Sequence, residues 1–179
     1  MHKDTVFKLG CGMFVEECRL AAGDYPDVKV DEVIVDTFAM RLIRDPQNFD
    51  VVVTTNMFGD ILSDEAAGLV GGLGMAPGLC IGEGAVAMAQ ATHGSAPDIA
   101  GRGIANPYAM IESSRMLIDW LGHDRRIPAA VSAARMMKRA IDLAMADPSS
   151  RTPDIRGTAR TAEVTAAIVE TIERERQGG

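Results

Sequence analysis

Aromatic residues are scarce in this chain of 179: one Trp, two Tyr and five Phe, 4% in all. A core must therefore be built from Val, Ile, Leu, Met and Ala, and a hydrophobic share of 47% suffices at this length for one domain or two small ones. Cysteine is equally sparse. Cys11, Cys18 and Cys80 form no CxxC pair and leave one thiol over in any disulfide scheme, which excludes a disulfide scaffold. They are expected to be small core residues in a reducing, cytoplasmic compartment, and Cys11 and Cys18, seven apart, share one helix face. Positive charge is in deficit, 18 Lys and Arg against 25 Asp and Glu for a net charge of −7, which argues against nucleic acid or an anionic membrane as the main partner. No apolar run reaches membrane-spanning length, and MHKDTVFKLG lacks the apolar core of a signal peptide. Internal repeats, low-complexity segments and obvious linkers are also missing.

What is present alternates between helical and extended patterns, which predicts an α/β arrangement. Gly12 to Ala22 reads as a helix with Phe14, Cys18 and Ala22 inward, ended by the Tyr25–Asp27 turn. Val28 to Val35 reads as a strand, Thr37 to Arg44 as a short helix stopped at Asp45–Pro46, and the run DVVVT, Asp50 to Thr54, as a buried strand. A helix over Asn56 and onward runs into GGLG and Pro77, and Ala85 to Ala91 reads as another strand. Asn106 as N-cap and Pro107 as the first helical residue start a helix to about Leu121. Arg126 to Ala146 is amphipathic through Ile127, Val131, Met137, Ile141 and Met145. Asp147 to Gly157 reads as a loop, and Thr161 caps a last helix with Val164, Ile168 and Ile172 at helical spacing.

Two stretches carry chemistry. In NMFGDILSDEAAGLVGGLGMAPG, Asn56 to Gly78, Asp60 and Asp64 are four apart and share a helix face, with Asn56 one turn earlier. Two like charges there call for a cation, and Mg²⁺ or Mn²⁺ suits them, being held through oxygen ligands with only one or two carboxylates; a solvated acidic face is the alternative. The second stretch is HGSAPDIAGRGIANP, ending at Pro107. Gly94, Gly101 and Gly103 let backbone approach a ligand, Ser95 and backbone N–H groups suit phosphate oxygens, and Asp98 suits ribose hydroxyls; a plain surface loop is the alternative. GEGAVA, Gly82 to Ala87, matches a loose dinucleotide fingerprint, but no helix-length pattern follows it. GGLG lacks the Lys-Ser/Thr of a phosphate-binding loop, so its glycines are read as allowing a tight helix-to-loop passage.

These two motifs, with VDTFAMRLIRDP around Asp36, resemble the β-decarboxylating dehydrogenases: the isocitrate, 3-isopropylmalate, homoisocitrate and tartrate/D-malate enzymes. The similarity covers essentially the whole chain but only the C-terminal half of such an enzyme. It implies an incomplete isocitrate/isopropylmalate dehydrogenase-like two-domain α/β fold, with residues 1–72 the second half of a dimer-forming metal and substrate domain and 73–179 the C-terminal part of an NAD-binding domain. By position, His93, Gly94, Ser95, Ala96 and Pro97 would line the adenosine and pyrophosphate path, Asp98 would bind the adenosine ribose and Asn106 the adenine. NADP-specific relatives place a lysine and a tyrosine where this chain has Asp98 and Ile99, so NAD is the implied cofactor.

The same resemblance makes Asp60 and Asp64 ligands of a divalent metal. Asp36 would be a third, given by the other subunit of a homodimer, and Lys3 the catalytic lysine, also given across the interface. It implies hydride transfer from a small 2-hydroxy acid to NAD, decarboxylation, and a lysine that relays the hydroxyl proton. The chain departs from the family at Thr5, where relatives carry Asn, and at Glu65, where a small or apolar residue is usual. The family's arginine clamp, catalytic tyrosine and nicotinamide-side loop would lie upstream of Met1, and Arg41, Arg44 and Arg102 do not match those positions. Isocitrate and 3-isopropylmalate are near equals as substrate. The competing expectation is a catalytically incomplete fragment or non-catalytic dimer-forming subunit, against which the presence of all three aspartates weighs.

Overall fold

A computed structural model describes residues 1–178, which divide into two compact units, Met1–Leu69 and the chain from Val70 onward. The first unit holds α1 (Lys8–Gly23), α2 (Val35–Arg44) and α3 (Asn56–Val70), the last running to the unit boundary. In α2, Phe38 and Leu42 stand one turn apart and are buried. Asp36 sits in its first turn and Arg41 and Arg44 in its last, the placement that complements the helix dipole. Phe38 and Leu42 close over Leu62 of α3, with Val33, Val35, Phe49 and Ala66 packed against them. The Phe38 and Phe49 rings lie 4.7 Å apart at a tilt of 56°, an aromatic contact that stabilises a small core.

The first unit corrects several expectations. α1 begins at Lys8, and the residues it buries are Cys11 and Val15, with Phe14, Cys18 and Ala22 half-buried beside them; the apolar face is wide enough to hold both rows, and its centre lies a turn earlier. Val28 to Val35 is not a strand. Its only ladder contact among the described residues is a parallel bridge between His2 and Ile34, with His2 N donating to Val33 O at 3.2 Å and Val35 N to His2 O at 2.9 Å. Asp50 to Thr54 is neither a strand nor buried: Val51 is 80% exposed, and the Met1 amino group donates to Val53 O at 2.8 Å. β-branched composition specifies a strand only where a neighbour offers its ladder, and among the described residues the single His2–Ile34 bridge is all that these two segments are given.

The second unit opens with a hairpin. β1 (Pro77–Ile81) pairs antiparallel with β2 (Ala87–Ala91), Pro77 opposite Ala91 and Ile81 opposite Ala87. β2 is the strand expected at Ala85 to Ala91, starting two residues later, whereas β1 escaped the sequence because it opens with Pro-Gly, tolerable in a strand only at its first positions. The GEGAVA segment is the connection between them: Gly82 N donates to Val86 O at 2.9 Å, and Gly84 takes φ +72°, a left-handed turn residue. Cys80 lies on β1 and is exposed, so it is no core residue; all three cysteines are free thiols.

Three helices complete this unit: α4 (Tyr108–Asp124), α5 (Pro128–Ala146) and α6 (Thr161–Gly178). α4 starts one residue after the expected Pro107, yet Asn106 acts as foreseen, its Oδ1 accepting from Tyr108 N at 3.0 Å. The buried cluster joins Ala140, Ile141 and Ala144 of α5 to Ala159 and to Val164 and Ile168 of α6, with Tyr108, Ile111, Met145 and Ile172 packed around it. Ser113 of α4 is fully buried; its hydroxyl lies 2.6 Å from Ala109 O and 2.9 Å from Gln90 O and accepts from Gly78 N at 3.1 Å. One side chain thus fastens both strands of the hairpin to α4, satisfying groups that burial would otherwise penalise. The expected loop over 147–157 contains two short 3₁₀ turns, Pro148–Ser150 and Pro153–Ile155. No helix among the described residues is long and apolar enough to cross a membrane.

Candidate functional site

In the first unit the helical spacing of α3 sets Asp60 and Asp64 on one face, both exposed. Asn56 Nδ2 donates to Asp60 Oδ2 at 3.1 Å, which fixes one carboxylate and leaves its other oxygen available. The pair offers hard oxygen donors one turn apart, a donor set suited to Mg²⁺ or Mn²⁺. Asp36 is placed elsewhere. It stands at the start of α2, gripped by Lys3 Nζ at 2.5 and 2.6 Å through its two oxygens. This hydrogen-bonded ammonium holds the Asp36 carboxyl below the ordinary carboxylate range. Among the described residues no three His, Cys, Asp or Glu side chains gather to hold a metal ion, so the three aspartates do not meet within one chain.

Lys3 is anchored through its backbone neighbours. The bonds of His2 to Val33 and Val35 pin the backbone before it, Val6 N and Phe7 N both donate to Lys3 O, and its side chain is 23% exposed against 65% for Asp36. Arg41, by contrast, lies 5.1 Å over the Phe49 ring, a stacking role within the core.

The loop from His93 to Asn106 lies wholly in the second unit. His93, Gly94, Ser95, Ala96, Pro97 and Asp98 are all exposed. Ala96 adopts a left-handed conformation, φ 45° and ψ 62°, and leads into a 3₁₀ turn, Pro97–Ile99, with Asp98 at its middle. Gly101 and Gly103 also have positive φ, 75° and 64°, the backbone that only glycine adopts freely. The entry of the loop is tied down where Thr92 Oγ1 donates to Ala76 O at 3.1 Å. Its exit is tied by Thr161, whose N donates to Gly103 O at 2.9 Å and whose Oγ1 donates to Ala105 O at 2.5 Å. The outcome is an exposed, preformed run of backbone amides and one carboxylate between two anchored ends, chemistry that suits phosphates and a diol.

Asn106 stands apart from the rest. It is 8% exposed, and its side chain is engaged inward, donating from Nδ2 to Asp154 Oδ2 at 3.1 Å besides accepting from Tyr108 N. Sequence reasoning missed Asp154. A signal existed: the tripeptide Pro-Asp-Ile occurs at 97–99 and again at 153–155 and folds into the same 3₁₀ turn both times. Gly74 of GGLG was read as easing a tight passage; its neighbours show a more specific need, since a Cβ there would stand 2.8 Å from Asp154 Oδ2 and 3.0 Å from Asn106 Cβ.

Comparison with known proteins agrees with the resemblance read from the motifs. The model of the family described as isocitrate/isopropylmalate dehydrogenase matches residues 1–172. The isocitrate/homoisocitrate dehydrogenase of Thermus thermophilus is 48% identical over 171 residues, which cover 96% of this chain and 48% of that protein. The 3-isopropylmalate dehydrogenase of Archaeoglobus fulgidus is 44% identical over 163 residues, 91% of this chain and 47% of that protein. Among solved structures, isocitrate dehydrogenase from Methylococcus capsulatus superposes with a TM-score of 0.87 at 46% identity, covering 96% of this chain and 49% of that one. The chain thus spans about half the length of the relatives it matches, and the helices and small sheet described above are part of their α/β fold.

Proposed function

The chain belongs to the isocitrate/isopropylmalate dehydrogenase family, and from that premise we propose that it supplies the NAD-binding loop and the metal-ligand helix of an oxidative decarboxylase acting on a small 2-hydroxy acid of the isocitrate or 3-isopropylmalate type. The observation that carries this reading is the anchored, exposed loop His93–Asn106, with Asp98 in the turn and three positive-φ residues around it. His93 to Pro97 would line the adenosine and pyrophosphate path, and Asp98 would accept both ribose hydroxyls while repelling a 2′-phosphate. Because its side chain is engaged inward, Asn106 would meet adenine through its backbone.

Asp60 and Asp64 would hold Mg²⁺ or Mn²⁺, with Asp36 of a second copy completing the set in a homodimer. When bound, such a cation supplies charge stabilisation for the hydroxyl and carboxylate oxygens of the substrate, and NAD accepts the hydride. This chain's own residues position and move protons. Lys3 Nζ, held by a carboxylate, would take the proton of the substrate's 2-hydroxyl as the neutral amine and return it as the ammonium, and Asp36 would keep that nitrogen oriented throughout. The net charge of −7 weighs against nucleic acid or an anionic membrane as the main partner.

The test is NADH production by the purified 179-residue chain with Mn²⁺, NAD and, in turn, isocitrate, 3-isopropylmalate, homoisocitrate, tartrate and D-malate. Turnover of one substrate would name it and show that this half suffices. Silence with all five, while NAD and Mn²⁺ still bind, would overturn self-sufficient catalysis and favour a subunit or fragment that needs a partner chain.

A further inference from the structure

We infer that Asp154 is a positioning residue for the dinucleotide loop, acting through the side chain of Asn106; the inference rests on the NAD reading of His93–Asn106 given above. An asparagine amide presents a donor on one side and an acceptor on the other, and only its partners decide which way it faces. Here both sides are specified. Oδ1 accepts from Tyr108 N at 3.0 Å at the start of α4, and Nδ2 faces Asp154 Oδ2 at 3.1 Å and Met75 Sδ at 3.4 Å. An ionised carboxylate can only accept, so Asp154 permits a single orientation of the amide. With Asn106 8% exposed, water is a poor substitute for either partner, and an unmet amide donor would be penalised.

Asp154 can hold Asn106 because its own turn is held. Ile155 N and Gly157 N both donate to Thr152 O, at 3.1 and 2.9 Å, and Thr152 is fully buried. Farther along, Thr161 grips Gly103 O and Ala105 O. The segment 152–161 therefore fastens the loop at 103, 105 and 106, while residues 93–98 stay exposed for a ligand. Gly74 leaves the space the contact occupies. A loop fixed at its far end before the ligand arrives avoids the ordering cost that a free loop would add to binding.

The experiment compares the full chain with Asp154→Ala and Asp154→Asn by amide NMR, first without ligand and then titrated with NAD. In the wild type the Asn106 side-chain amide is expected to be protected from solvent exchange. Asp154→Ala should release it and weaken NAD binding about tenfold, whereas Asp154→Asn, whose Oδ1 still accepts, should stay within about twofold of the wild type. A merely structural aspartate would release the amide in Asp154→Ala and leave NAD affinity unmoved. An Asn106 amide indifferent to the alanine, or one released with NAD affinity unchanged, overturns the inference. A wild type that binds no NAD while the alanine still frees the amide overturns the cofactor reading instead.

Discussion

Gly157→Ala is expected to lower the stability of the second unit by about 3 kcal/mol or more, at the upper end of what an overpacked position costs. A Cβ at residue 157 would stand 1.9 Å from Arg151 O and 2.3 Å from Arg151 C. Those are backbone atoms, and they cannot swing aside as a side-chain end could. Arg151 O is also engaged, accepting from Ala159 N at 2.8 Å, while Gly157 N donates to Thr152 O at 2.9 Å. Relief therefore requires opening the turn that carries Asp154 and leads into Thr161, so the loss of stability should come with loss of order at residues 103–106. Urea unfolding followed by the fluorescence of Trp120, on α4 in the same unit, measures it. Gly94→Ala serves as the comparison, because a Cβ there meets nothing within 4 Å and stability should hardly change. A Gly157→Ala midpoint equal to that of Gly94→Ala would contradict the packing described.

Asp60→Asn and Asp64→Asn are each expected to weaken Mn²⁺ binding about 10- to 100-fold, since either change removes a charged oxygen donor from a small set and Mn²⁺ favours carboxylates over amides. The two should not behave identically. Asp60 is oriented by Asn56, so Asn56→Ala should reproduce part of the Asp60 effect, about tenfold or less, as removal of an orienting partner does elsewhere. Asp36→Asn is predicted to matter only where a second copy is present, because in one chain its carboxylate belongs to Lys3. Titration of Mn²⁺ followed by its electron paramagnetic resonance, over a wide range of protein concentration, separates these cases. Unchanged affinity in Asp60→Asn and Asp64→Asn would leave α3 with no more than a solvated acidic face.

Helical periodicity was the reliable guide to this molecule. α3, α5 and α6 follow apolar or carboxylate spacing that depends only on local geometry, and the face shared by Asp60 and Asp64 was legible for the same reason. The strands were not. Val28 to Val35 and Asp50 to Thr54 have strand-like residues, yet a ladder is a non-local object, and among the described residues neither segment has one beyond the single His2–Ile34 bridge; β1 has a ladder but opens on Pro-Gly, which local propensity reads as a turn. The candidate site divides in the same way. Gly94, Ser95 and Asp98 announce themselves because exposed polar and glycine residues in a row have few structural explanations. Asp154, Gly74 and Ser113 work through contacts across 32, 35 or 48 positions of sequence, and only the fold reveals those pairs.

Calorimetric titration of the 179-residue chain with NAD and, separately, with NADP tests most directly the claim that His93–Asn106 is an NAD site governed by Asp98. An exposed carboxylate where the ribose would lie accepts two hydroxyls and repels a phosphate dianion, so NAD should bind about tenfold or more tightly than NADP. Equal affinity for the two, a preference for NADP, or no binding of either would contradict it.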